Sequence, residues 1–507
     1  MKRFLYIIFL FFIGFHAFSQ QYGNEWINYN NQYFRIFVYS DGIYRIDSTA
    51  LANSGINVSN INPKNIQIFG RGVQQYIYIK GESDNHFNSG DYIEFYGEHN
   101  DGWYDYKLFA NPSDQPNPAY SMFNDTAVYY LTINQNSVSN FRMISENDTL
   151  YSSYSATPYF NKVTRTNYTG TYFFGETDGN GVTDPEYVPS EGWFDAGFNL
   201  GSSITKNIAT TNVFNLDSAT IEFLLIGASN YSGVNPNHHV NINFAGIEID
   251  TTLFGYYTKR YNIKVPASSL GSASTAFSFS SINDINCYAD YNTISYINIK
   301  YPHKANLENQ SSYVLYVPNS ISQNKTYLNL SNFSVTANDS VWFYDITNHK
   351  RIKVKKNGTN YQVLIPNAVG EKKCYITSVA NMKIVNSIQP VNTDLGNYAK
   401  FTDYSYSPEY TKSDYLIVTH KKFWNEAQDY KDYRSSSEGG SYSAMIADIE
   451  ELYDQFSYGI RKNPLAIKNF ANFALDFYQN RIKDLFLIGK GYRAAESDAN
   501  RCYRKNS

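Results

Sequence analysis

YLIVT (415–419), MIA (445–447) and LFLIG (485–489) are three apolar runs near the end of the chain. Each is short enough to be one buried strand. Between the first and second, Phe423, Ala427 and Tyr430 recur at helical spacing. Between the second and third, a helical stretch from Ile449 to Ile460 carries YDQFSYGI (453–460), and a further helix opens at Asn463-Pro464. Asn at a helix start accepts from free amides, and Pro in the first turn loses no hydrogen bond. Ile467, Phe470, Ala471, Ala474, Phe477 and Tyr478 then make one apolar stripe, the mark of a core helix and no cofactor site. Strand, helix, strand, helix, strand predicts a parallel sheet wrapped by helices. Nothing before residue 400 has this pattern.

The rest of the chain is of another kind. Its 507 residues are too many for one domain. Charged residues make up 17%, against 48 Tyr and 34 Phe, a balance that suits pleated surfaces on which flat rings pack. The net charge of -4 provides no basic field for nucleic acid or anionic lipid. Cys287, Cys374 and Cys502 are few and widely spaced, so neither a disulfide framework nor a metal-ligand spacing emerges. Each reads as a small buried apolar residue.

Residues 1–19 read as a secretory signal peptide: Lys2-Arg3, an apolar run from Phe4 to Ile13, then Ala17 and Ser19 before a cut at Gln20. The run is short for a membrane span, and no later stretch is long and apolar enough. No cysteine sits near the cut for a lipid anchor. The expectation is an exported protein in a bacterial periplasm, on the outer surface or outside the cell, with no transmembrane anchor after cleavage.

From Gln20 to Asn161 short strands alternate with turns. Tyr33–Tyr39, Asp41-Gly42 and Ile43–Ile46 predict a hairpin, since Asp-Gly supplies positive φ angles. Gly70-Arg71-Gly72 lacks the third glycine and the helix of a phosphate loop, so it reads as a turn. Val240–Phe244 and Ile247–Asp250 flank Ala245-Gly246, another hairpin candidate. Strands that alternate apolar and polar residues up to Tyr301 suit a β-sandwich with one buried face. His238 and His239 are adjacent and so point to opposite faces, which excludes a metal pair and predicts a strand start with an exposed ring. Glu176, Asp178, Asn180 and Asp184, spaced around Gly179 and Gly181, form a candidate structural calcium loop. The bidentate acid expected at its twelfth position is absent, and a plain Gly-rich turn explains the stretch as well. No other cofactor is required.

YDQFSYGI, the PLAI helix start (464–467) and the LFLIG strand resemble the opening of the peptidase region of gingipain-like cysteine peptidases, family C25, which includes sortases of type IX secretion. IFGRG (68–72) and GDYIEFYGEHN (90–100) resemble the N-terminal domain of the same proteins, in the expected order. The resemblance implies a multi-domain chain: β-rich N-terminal domains of β-sandwich type, followed by a partial α/β caspase-like domain with a parallel sheet. The domains would be 20–161, 162–305, 306–400, a linker at 401–412, and 413–507.

The family's catalytic pair is a His followed by Gly and, later, a Cys. His420 is followed by Lys421 and should not inherit that role; Cys502 lies in a polar tail. Both are weak candidates for a general base and a nucleophile. The expectation is an exported cysteine-type peptidase or sortase, acting on proteins or peptides in company with secretion components, that lacks its nucleophile as given. The alternative is a non-catalytic surface or periplasmic β protein that binds glycan or protein.

Overall fold

The structure is a computed structural model that describes residues 21–136, 140–176, 186–336, 338–394 and 396–491. Two sheets form the N-terminal β unit. One has the order Gln389–Pro390, Tyr33–Val38, Ala127–Ile133, Ile66–Gly70, Val73–Gln74; the other has Lys383–Val385, Gly42–Asp47, Tyr92–Gly97, Ile77–Ile79. Phe34, Ile36, Ile46, Ile68, Phe95 and Leu131 fill the space between them. Two short strands from beyond residue 380 thus complete sheets that begin near residue 33.

The Asp41-Gly42 hairpin is a correction. Tyr33–Val38 pairs with Ala127–Ile133, whereas Gly42–Asp47 pairs with Tyr92–Gly97 in the opposite sheet. Both strands have inward apolar side chains, and a sandwich buries both only if the chain crosses from sheet to sheet. Asp41 instead accepts from the His99 amide at 3.0 Å. The Ala245-Gly246 turn does close a hairpin, His238–Phe244 against Ile247–Leu253, with both turn residues at positive φ. Gly70-Arg71-Gly72 is likewise a turn between two paired strands.

A nine-stranded sheet runs through the middle of the chain, with the 13-residue strand Asn292–Lys304 inside it. A four-stranded sheet covers one part over Phe223, Ile242, Phe277 and Ile299. A five-stranded sheet covers another over Phe160, Leu328, Val363 and Ile376.

The last unit is the α/β segment. Its elements are β1 (Tyr415–Thr419), α1 (Trp424–Ser435), β2 (Ala444–Asp448), α2 (Ile449–Phe456), α3 (Leu465–Phe477) and β3 (Asp484–Ile488). The strands are parallel in the order β2-β1-β3. Ala427 and Tyr430 of α1 pack on one face with Tyr415, Ile417 and Ile446. Leu452, Phe456, Phe470 and Phe473 pack on the other with Leu416, Val418 and Met445. Asn463 Oδ1 accepts from the Leu465 amide at 2.9 Å, the expected cap.

Two details differ from expectation. Phe423 and Phe477 are exposed, and Phe473 takes the buried place on α3. The third strand is not buried: Leu485, Phe486 and Leu487 are 39, 40 and 53% exposed. β3 pairs with β1 on one side, and among the described residues its other edge is unpaired. A sequence reading assigns an apolar run to an interior, but here the described neighbours supply only one side of it.

Candidate functional site

Sites in open parallel sheets form where strands end at their carboxyl side. Here those ends are Thr419-His420, Asp448 and Gly489. Thr419 Oγ1 donates to the Ile488 carbonyl at 3.2 Å and ties the ends of β1 and β3 together. His420 Nδ1 accepts from the Lys422 amide at 3.0 Å, so the ring caps the turn that leads into α1. His420→Ala is therefore expected to cost about 0.5–1 kcal/mol in urea unfolding, the loss of one helix-start cap. Asp448 caps α2 through the Glu450 amide at 3.3 Å. Its burial raises the carboxyl above its ordinary value.

Glu451, one turn on, is half-buried, and the loss of solvent around its carboxyl raises it above its ordinary value as well. It accepts from Thr402 N and Oγ1 at 2.5 and 3.0 Å, and from Gln455 Nε2 at 3.2 Å. A carboxyl raised by folding contributes stability that is fully present below its unfolded pKa and is lost as pH rises through its folded value. Glu451→Gln cannot ionise. Its stability relative to wild type should thus be higher at pH 7 than at pH 4, measured by urea unfolding at both; an equal difference would contradict the sign.

The described thiols do not lie here. Cys287 and Cys374 are buried in the middle β region, and burial raises both thiols, the state of inert cysteines. Cys502 lies outside the described residues, as do Asp178, Asn180 and Asp184 of the calcium loop; Glu176 is exposed at their border. Among the described residues no three His, Cys, Asp or Glu side chains are placed to hold a metal. His238 corrects the expected exposed ring. It is fully buried, with Nδ1 2.5 Å from Asp290 Oδ1 and Nε2 donating to the Ser229 carbonyl at 2.9 Å. His239 is the outward ring, between Asp250 and Asp284, each at 2.7 Å.

Several residues of YDQFSYGI reach across to the N-terminal sandwich. Asp454 accepts from Arg35 Nε at 2.8 Å and Nη2, and from the Tyr130 hydroxyl at 2.8 Å. Arg35 also donates to the Pro390 and Val391 carbonyls. Burial alone would lower its pKa; Asp454 more than offsets this and holds it above its ordinary value. Gln455 accepts from the Tyr29 hydroxyl at 3.0 Å and donates to the Thr402 carbonyl at 3.0 Å. Tyr458 meets Trp103 and Tyr104 at ring distances of 5.4 and 5.1 Å. Gly459, at φ +80°, lies so close to strand Ala127–Ile133 that a Cβ there would sit 2.5 Å from Val128 Cβ. Tyr22 packs edge-on against Phe473 and Phe477. Sequence reasoning missed this role; the signal was Asp454 and Gln455 inside an otherwise apolar stretch.

A three-stranded parallel sheet in the order β2-β1-β3, with YDQFSYGI leading out of the helix after β2, is the geometry to compare. Residues 409–498 match the model of peptidase family C25. The C25 region so defined takes in all three strands. The structure is also similar to dimeric latent PorU from Porphyromonas gingivalis, at 12% identity and a TM-score of 0.54, over 90% of this chain and 41% of that one. At that identity the likeness concerns the fold, a multi-domain β-rich chain carrying the α/β unit. The chain spans less than half of the PorU chain's length. A CBM36-1 domain of a xylanase from the hindgut metagenome of Trinervitermes trinervoides (13% identity, TM-score 0.15) covers 27% of this chain and 95% of its own. A ruminal GH26 endo-beta-1,4-mannanase (13%, 0.17) covers 29 and 26%. Neither carries an argument at those scores. No curated protein sequence matches the chain.

Proposed function

We propose that this chain comprises the N-terminal β units and the opening βαβαβ of a cysteine peptidase or sortase of the C25 type. The observation that carries the reading is β3: an apolar strand whose second edge is unpaired among the described residues, with exposed side chains on both faces, inside the stretch that matches family C25. A strand apolar on both faces belongs inside a doubly covered sheet. Further polypeptide laid on that edge would bring the reacting His and Cys to the carboxyl ends of the strands. There the thiolate would attack a peptide carbonyl while the imidazole passes its proton to the leaving amine. Water would then release the acyl group in hydrolysis, or an amine would take it in sortase-like transfer.

The substrates would be proteins or peptides, and the setting an exported one, with type IX secretion components as partners. The sequence signal for export supports this, as does the likeness to PorU; no described helix is long and apolar enough to cross a membrane. Calcium in the 176–184 loop would be structural. His420 caps a helix start and the described thiols are buried, so none of these would supply the reacting pair. Iodoacetamide labelling at pH 7 tests this. The expected result is no thiol that reacts faster than free cysteine. Rapid labelling of Cys502 that is lost in His420→Ala would overturn it.

A further inference from the structure

Three loops meet at one end of the middle sandwich: 228–237, 254–257 and 282–291. They lock together through buried polar groups. Asn237 Oδ1 accepts from the Gly255 amide at 2.8 Å, and Asn237 Nδ2 donates to Asn230 Oδ1 and the Tyr231 carbonyl. The Tyr291 amide donates to Ser229 Oγ at 3.0 Å. His238 spans from Asp290 to the Ser229 carbonyl, and Ser281 donates to Asp290 Oδ2 at 2.6 Å. This network fixes the loop bases, so the residues above it stand on a rigid mount.

What stands above is polar and aromatic. Tyr288 is 87% exposed and Tyr257 67%. Tyr231 meets Tyr288 edge-to-face at 5.7 Å. Asn230, Asn283 and Asn286 of the same loops are exposed. The loops hold two charged residues, Asp284 and the buried Asp290, and no lysine or arginine. Exposed rings offer flat apolar faces, and amides offer donors and acceptors together. The partner such a surface fits has alternating CH faces and hydroxyls and little charge. A protein partner would call instead for an apolar centre with arginine anchors, which these loops lack.

We infer that this loop end is a saccharide-binding platform, with Tyr288 and Tyr257 stacking on pyranose rings and the asparagines bonding hydroxyls. The inference is independent of the C25 reading. Its test is affinity electrophoresis of the full chain through gels containing dextran, mannan, xylan or soluble peptidoglycan strands. Retardation by at least one polysaccharide is expected. Tyr288→Ala and Tyr257→Ala should weaken it at least tenfold, while Tyr406→Ala, at an exposed ring of the linker to the C25 region, should leave it unchanged. Both loop tyrosines are exposed, so the variants should unfold at the wild-type urea concentration. No retardation in any gel overturns the inference, as does equal retardation of all variants. Loss of a captured protein in Tyr288→Ala without any polysaccharide binding overturns it as well.

Discussion

Asp454→Ala is expected to cost about 3–5 kcal/mol, because it strands a buried guanidinium. Arg35 sits beneath the C25 region with Asp454 as its acid partner, and Tyr130 donates to the same carboxylate. Urea unfolding followed by tryptophan fluorescence should report the loss directly, since Trp26 and Trp103 both line this contact. Unfolding should begin in the α/β unit, so a protease would release residues beyond 404 before it cuts the sandwich. The double change Arg35→Met with Asp454→Leu should recover part of the loss, because it removes both charges together. Recovery should be incomplete, since Arg35 also serves the Pro390 and Val391 carbonyls. A loss under 1 kcal/mol for Asp454→Ala would show that YDQFSYGI does not hold the two units together.

The second large effect is Glu94→Ala, also about 3–5 kcal/mol by the same reasoning. Glu94 is fully buried between the N-terminal sandwich and the middle sheets. Oε1 takes Arg45 Nη2 at 2.6 Å, and Oε2 takes Arg351 Nε and the Tyr344 hydroxyl, both at 2.9 Å. Arg351 is further clasped by the Trp342 ring at 3.2 Å and the Tyr78 ring at 4.1 Å. Removing the carboxylate leaves two guanidinium cations, Arg45 and Arg351, without the charge that joins them. Glu94→Gln keeps the shape and one acceptor, so its loss should be smaller than that of Glu94→Ala. The same urea measurement checks the order, and equal losses would contradict a charge-based account.

Much of the α/β unit was legible because its signals are local. Apolar runs of strand length, helical spacing and the Asn463-Pro464 start each depend on neighbouring residues only. The Ala245-Gly246 hairpin was legible for the same reason. The Asp41-Gly42 hairpin was not, because two strands that leave a turn can pair with each other or cross to opposite sheets. That choice is made by Ala127–Ile133 and Tyr92–Gly97, far along the chain. The buried His238 was also hidden: its partners, Asp290 and the Ser229 carbonyl, are brought to its two ring nitrogens by the fold. The sequence offered His420 only as a weak general-base candidate, whereas its ring caps the turn into α1. It said nothing of Asp454 and Arg35, whose partnership spans most of the chain.

The account turns on the second edge of β3, unpaired among the described residues, and hydrogen exchange of the 507-residue chain tests it most directly. Amides of β1, paired on both sides by β2 and β3, should be strongly protected. Amides of Leu485–Ile488 that point away from β1 should exchange rapidly, at rates near those of exposed turns. Protection of every β3 amide to the level of β1 would mean that the edge is already covered, and would contradict the proposal that further polypeptide completes this sheet.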